Sequence, residues 1–100
     1  MVKHVVFFRL KAQAMGASRS ENARRIKQGL EALNGRIPGL RRLEVGVNFA
    51  QGDASWDLAL YSELESREAL QAYQLHPEHR KIAEFIGSVR ESRAVVDYEC

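Results

Sequence analysis

The stretch Val2–Leu10, "VKHVVFFRL", alternates with a period of two. His4, Val6, Phe8 and Leu10 fall on one side of it; Lys3, Val5, Phe7 and Arg9 fall on the other. Apolar residues stand in the middle of both sides. A strand with a single buried face would carry polar residues where Val5 and Phe7 sit. The stretch therefore predicts a strand in a sheet whose two faces are both covered.

The rest of the chain supplies the cover for one face. Lys11 to Arg19 has few large apolar residues and reads as a loop. Ser18 with Glu21 three residues on fits a capping box, and Ala23, Ile26, Leu30, Leu33 and Ile37 then form one apolar helical stripe. Gly35 and Pro38-Gly39 end that helix. Leu40 to Phe49 reads as a strand with Leu43, Val45, Val47 and Phe49 on one side, and Gly46 opposite marks a close approach or a bulge. After the turn "AQGDAS", Trp56 to Leu64 reads as a third strand, with Trp56, Leu58 and Leu60 on one side. Ser66 caps a helix carrying Ala69, Leu70, Tyr73 and His76 on one face. Pro77 opens another helix with His76 as its cap and Ile82, Phe85, Ile86 and Val89 as its stripe. Arg93 to Glu99 reads as the last strand.

The order β-α-β-β-α(α)-β is the split βαβ, ferredoxin-like arrangement of an α+β protein. It has a four-stranded antiparallel sheet with helices on one face. At 100 residues the whole chain, 1–100, is one domain, and its core is modest for its surface. The second sheet face then calls for a partner. A symmetric homodimer stacking sheet on sheet through Val5 and Phe7 is the simplest closure.

Composition excludes several function classes. A net charge of +2 is too small to argue for nucleic acid, and the basic runs at Arg24-Arg25, Lys27 and Arg41-Arg42 lack interleaved aromatics and read as solvated faces. The single cysteine, Cys100, forms no disulfide within the chain, which fits a reducing, cytoplasmic setting. The start shows no cleavage-site pattern, and no apolar run is long enough to span a membrane.

Two of the three histidines lie in Ala72–Lys81, "AYQLHPEHRK". Tyr73 and His76 are neighbours on one helix face, and His79 falls near the third residue of the next helix. His4 shares its side of the first strand with Val6 and Phe8, so it meets Tyr73 and one of the two later histidines if that side faces the helices. A histidine at a helix N-terminus is biased toward its neutral form, which suits a general base. A tyrosine hydroxyl beside it can orient a carbonyl or phenol oxygen. Taken singly, each residue has a commoner structural explanation: His76 as a cap, Tyr73 as core with one hydrogen-bond partner, His4 as a bonded core histidine. His76 and His79 make a poor metal pair, because the intervening proline breaks the helix and no third ligand is identifiable. No metal and no cofactor is expected, and no nucleophile stands beside a base.

"VKHVVFFRLK", "IPGLRRLEVGVN", "DLALYSEL", "AYQLHPEHRKIAEFI" and the closing "VVDYE" together resemble the stress-responsive α/β-barrel (Dabb) domain over nearly the whole chain. The resemblance implies a ferredoxin-like fold and a homodimer whose two sheets face each other as a barrel. In a plant member that cyclises a polyketide by an aldol reaction without a cofactor, the working residues match Tyr73 and His79, with a contributing histidine at His4. The expectation is a small dimeric protein of undetermined biochemical activity, with a pocket between sheet and helices. Three activities are compatible with it. One is a cofactor-free cyclase-like enzyme acting on a small aromatic or polyketide-like ligand, with His79 as base, Tyr73 orienting the substrate carbonyl and His4 assisting, which needs His79 and Tyr73 both to face the pocket. The others are a cofactor-independent monooxygenase and a structural or ligand-carrying dimer.

Overall fold

The computed structural model describes residues 1–100. Its elements are β1 (Val2–Leu10), β2 (Gln13–Ala14), β3 (Ala17–Ser18), α1 (Arg19–Glu31), β4 (Leu40–Val47), β5 (Leu58–Leu64), α2 (Arg67–Leu75), α3 (Pro77–Val89) and β6 (Arg90–Glu99). Four strands form one antiparallel sheet in the order β4-β5-β1-β6. The three helices cover one of its faces, α1 lying on β4 and packing against α3. No helix is long and apolar enough to cross a membrane.

Each helix starts where a side chain satisfies its orphan N–H groups. Ser18 Oγ accepts from the Glu21 N–H at 3.2 Å, and Ser66 Oγ accepts from the Ala69 N–H at 3.0 Å. His76 does the same for α3, with Nδ1 accepting from the Glu78 N–H at 3.1 Å and Pro77 in the first turn. Gly39 is held by two constraints. Its φ of +85° favours glycine, and a Cβ there would come within 2.7 Å of Ala69 Cβ where α2 crosses the end of β4.

The core lies between the sheet and the helices. His4, Val6, Phe8 and Leu10 of β1 are buried there with Leu43, Val45, Leu58, Leu60, Ile26, Leu30, Ile86 and Val89. Lys3, Val5, Phe7 and Arg9 point to the opposite, open face, as the alternation predicts.

Several local expectations are corrected. The segment read as a loop after β1 contains the β2–β3 hairpin, turned by Met15 and Gly16 at φ of 52° and 73°. Helix α1 ends at Glu31, and Leu33 and Ile37 are buried from the turns that follow it. Val47 and Phe49 do not share the burial of Leu43 and Val45. The strand stops at Val47, and Phe49 is 99% exposed. Gly46 has nothing within 4 Å of a notional Cβ, and the irregularity in β4 lies instead between Leu40 and Arg42. Trp56 precedes β5 and packs against Phe7, whose side chain is on the open face, with ring centroids 6.5 Å apart. The alternation fails there because Asp57 is tied to β1: its Oδ2 accepts from the Leu10 N–H at 2.7 Å and its own N–H donates to the Phe8 carbonyl at 2.9 Å. The last strand starts at Arg90, three residues earlier than its apolar pattern indicates.

Candidate functional site

The two histidines of "AYQLHPEHRK" do different work. His76 ends α2 and caps α3; its Nδ1 accepts a backbone N–H and so carries no proton of its own. His79 lies one turn on, with Nδ1 3.2 Å from the Gln74 carbonyl. A carbonyl only accepts, so Nδ1 of His79 is the protonated nitrogen and Nε2 is the basic one. Burial holds the His79 pKa below its ordinary value of 6.5; the Gln74 carbonyl opposes that, and His4, Arg93 and His76 add to it.

Tyr73, on the last turn of α2, is fully buried. Its ring lies 4.4 Å from that of His79 and meets His4 edge-on at 6.2 Å. The three residues predicted from the sequence thus come together at the junction of β1, α2 and α3. The Tyr73 hydroxyl, expected to find one partner, is buried with none, and burial raises its pKa.

Beside this cluster is a half-open cavity of about 260 Å³ between the sheet and α3. His4 and His79 line it, with Val6, Phe8, Leu30, Leu60, Ala83 and Ile86 as its apolar walls and Arg90 and Arg93 at β6. Phe8 forms a wall and leaves the volume open. Tyr73 is not among the lining residues; it reaches the cavity only through the ring of His79.

Sequence reading missed three residues of this site, all on β6. Asp97 lies opposite His4 in the strand register, and its Oδ1 accepts from His4 Nδ1. This bond fixes the orientation of a buried ring and leaves Nε2 as its other nitrogen. Arg93 lies opposite Phe8, and Arg90 opposite Leu10 beyond a bulge. The signal for them was the period-two spacing of Arg93, Val95 and Asp97, readable only once β6 is known to pair with β1. Nowhere are three or more His, Cys, Asp or Glu side chains grouped to hold a metal ion.

The model of the Stress responsive A/B Barrel Domain matches residues 2–100. The chain belongs to this family. It is also 34% identical over 83 residues to an uncharacterized protein of Streptomyces coelicolor, covering 80% of each chain. A dimeric protein of unknown function and ferredoxin-like fold from Bacteroides fragilis superposes with a TM-score of 0.84 and 36% identity, over 99% of this chain and 95% of that one. The hydroxynitrile lyase of Passiflora edulis shares the fold at 22% identity, with a TM-score of 0.78 over 97% of this chain and 90% of the lyase.

Proposed function

We propose that this family member works as a homodimer whose two sheets face each other as a barrel through the open face around Val5 and Phe7. In each subunit, the helix-side cavity binds a small apolar or aromatic ligand, and His79 acts on it as a general base without a cofactor. The observation that carries the reading is the placement of His79: a half-buried imidazole on the wall of a cavity with mostly apolar lining, its Nδ1 committed to the Gln74 carbonyl at 3.2 Å, where burial lowers its pKa and favours the neutral form. Removal of a proton next to a carbonyl needs such a base and an apolar surround. Tyr73 holds the ring of His79 in place, and His4, oriented by Asp97, faces the same volume. The dimeric Bacteroides protein supports the assembly. The Passiflora lyase, similar in fold alone, is an enzyme built on the same frame.

The test uses phenylacetone as a small carbon-acid probe, with deuterium incorporation at its α-carbon followed by NMR. The wild-type protein is expected to accelerate exchange, and His79→Ala to abolish the acceleration by about 100-fold or more. Tyr73→Phe is expected to slow exchange less, while its melting temperature holds or rises, because the hydroxyl it removes has no partner and costs about 1 kcal/mol or more where it is. Exchange that is indifferent to His79 would overturn the base assignment and leave a ligand-carrying dimer.

A further inference from the structure

The chemistry of the cavity's rim says more about what it takes. Most arginines of this chain are engaged. Arg19, Arg24, Arg25, Arg41, Arg42 and Arg67 each lie within 4.0 Å of a carboxylate, and Arg9 stacks on Trp56 at 4.4 Å. Arg90 and Arg93 have no carboxylate within that distance and no side-chain hydrogen bond, and both border the cavity. Arg36 and Arg80 also lack a carboxylate, but neither borders it. No Asp or Glu lines the cavity. Asp97, on the same face of β6, is taken by His4. The cavity therefore pairs apolar walls with two guanidinium groups at one edge and holds no anion of its own.

We infer that the natural ligand of this cavity is a small carboxylate with an apolar body: Arg90 and Arg93 hold its anionic head, and Val6, Phe8, Leu30 and Leu60 cover its body. Guanidinium groups match a carboxylate through paired N–H donors, and the low polarity beside them strengthens the contact. The volume of about 260 Å³ falls below the roughly 300–1,000 Å³ of sites for drug-sized ligands, so a single ring or a short chain fits. The inference rests on reading the cavity as a ligand site, but not on His79 acting as a base.

The test is an equilibrium titration of the full chain, followed by NMR. Benzoate is the probe, benzamide its neutral counterpart, and inorganic phosphate the bare anion. Benzoate is expected to bind about tenfold more tightly than benzamide, shifting the signals of His79 and Ile86. The variant carrying Arg90→Ala and Arg93→Ala is expected to lose that factor for benzoate and leave benzamide unchanged. Both residues are exposed, so the fold survives the change. His79→Ala should keep the dependence on the arginines, so that loss of proton exchange in that variant leaves the carboxylate site standing. The inference is overturned if benzoate binds no more tightly than benzamide, if the double variant binds benzoate as the wild type does, if phosphate competes equally well, or if benzoate does not bind at millimolar concentration.

Discussion

Phe7 and Phe8 are neighbours in one strand, yet Phe8 is 5% exposed and Phe7 is 40% exposed. The same contrast runs across the whole sheet. On the helix side, His4, Val6 and Leu10 are as buried as Phe8. On the open side, Phe7 is joined by Val96 at 58% exposure and Tyr98 at 46%, with Val5 half-buried between them. A single ladder of residues therefore supplies a finished core on one side and an unfinished one on the other. The finished side holds the two cavity histidines, each bonded through Nδ1: His4 to Asp97, His79 to Gln74. At one end of the open side Lys3 Nζ donates to Tyr61 at 2.8 Å and pairs with Glu63 at 2.9 Å. Its other end is a hollow of about 550 Å³ lined by Phe7, Gly46, Val47, Phe49 and Trp56. The histidine-lined cavity and the exposed apolar surface thus lie on opposite faces of one sheet, and each can be perturbed without touching the other.

The largest effect separating the two faces comes from Phe7→Glu. Burial of a phenylalanine is worth about 1.5–3 kcal/mol, and a two-fold interface loses it twice. A carboxylate buried in the same place adds a desolvation cost. The expected outcome is a wild-type dimer and a monomeric or insoluble variant, read by size-exclusion chromatography with light scattering. A wild-type protein that elutes as a monomer breaks the contrast, because the open face would then tolerate water.

A smaller effect belongs to the helix side. Burial lowers the pKa of His79 below 6.5, so the unfolded chain takes up a proton that the folded chain resists. Above pH 6.5 both states leave the imidazole neutral and the group does not affect stability. As the pH falls from there through the folded-state pKa, the unfolded state binds more protons and the fold loses stability. His4, His76 and Arg93 act on the same ring, so the comparison that isolates His79 is wild type against His79→Ala. The melting temperature of the variant is expected to fall less steeply below pH 6.5 than that of the wild type. Parallel curves would mean that the ring is not desolvated and that the base assignment loses its footing.

The helix side was also the more legible in sequence. Alternation in β1, the serine caps at 18 and 66, and the His76-Pro77 corner all depend on neighbours within four residues, and the structure places them as read. The brackets of the site were legible for the same reason, since Tyr73 and His79 lie six residues apart across one corner. What escaped depends on pairing between distant strands. Asp97, Arg93 and Arg90 join the site through the β1–β6 register, which no local pattern contains. Trp56 changes sides because Asp57, its neighbour, bonds the backbone of β1 nearly fifty residues earlier. Tyr73 was expected to face the pocket, but it stands one ring away from it, a matter of packing between two helices that periodicity cannot fix.

The smallest expected effect is also the most specific about how the open faces meet. Gly46 sits in the floor of the open-face hollow, opposite Ala59 in the register, and a Cβ there would touch nothing within the subunit. Gly46→Ala should therefore stabilise the subunit by about 0.4–1 kcal/mol, because it narrows the unfolded ensemble without strain. Its effect on the dimer depends on what the partner places in the hollow. In a barrel, two twisted sheets keep an interior space and a methyl group is absorbed; in a tight sandwich the sheets interdigitate, and the methyl collides with partner side chains. The barrel predicts a slightly higher melting temperature and an unchanged dimer dissociation constant by analytical ultracentrifugation. A weakened dimer with an intact subunit would show instead that the hollow is filled on assembly, so that the open face is completed as a packed core in the manner of the helix side.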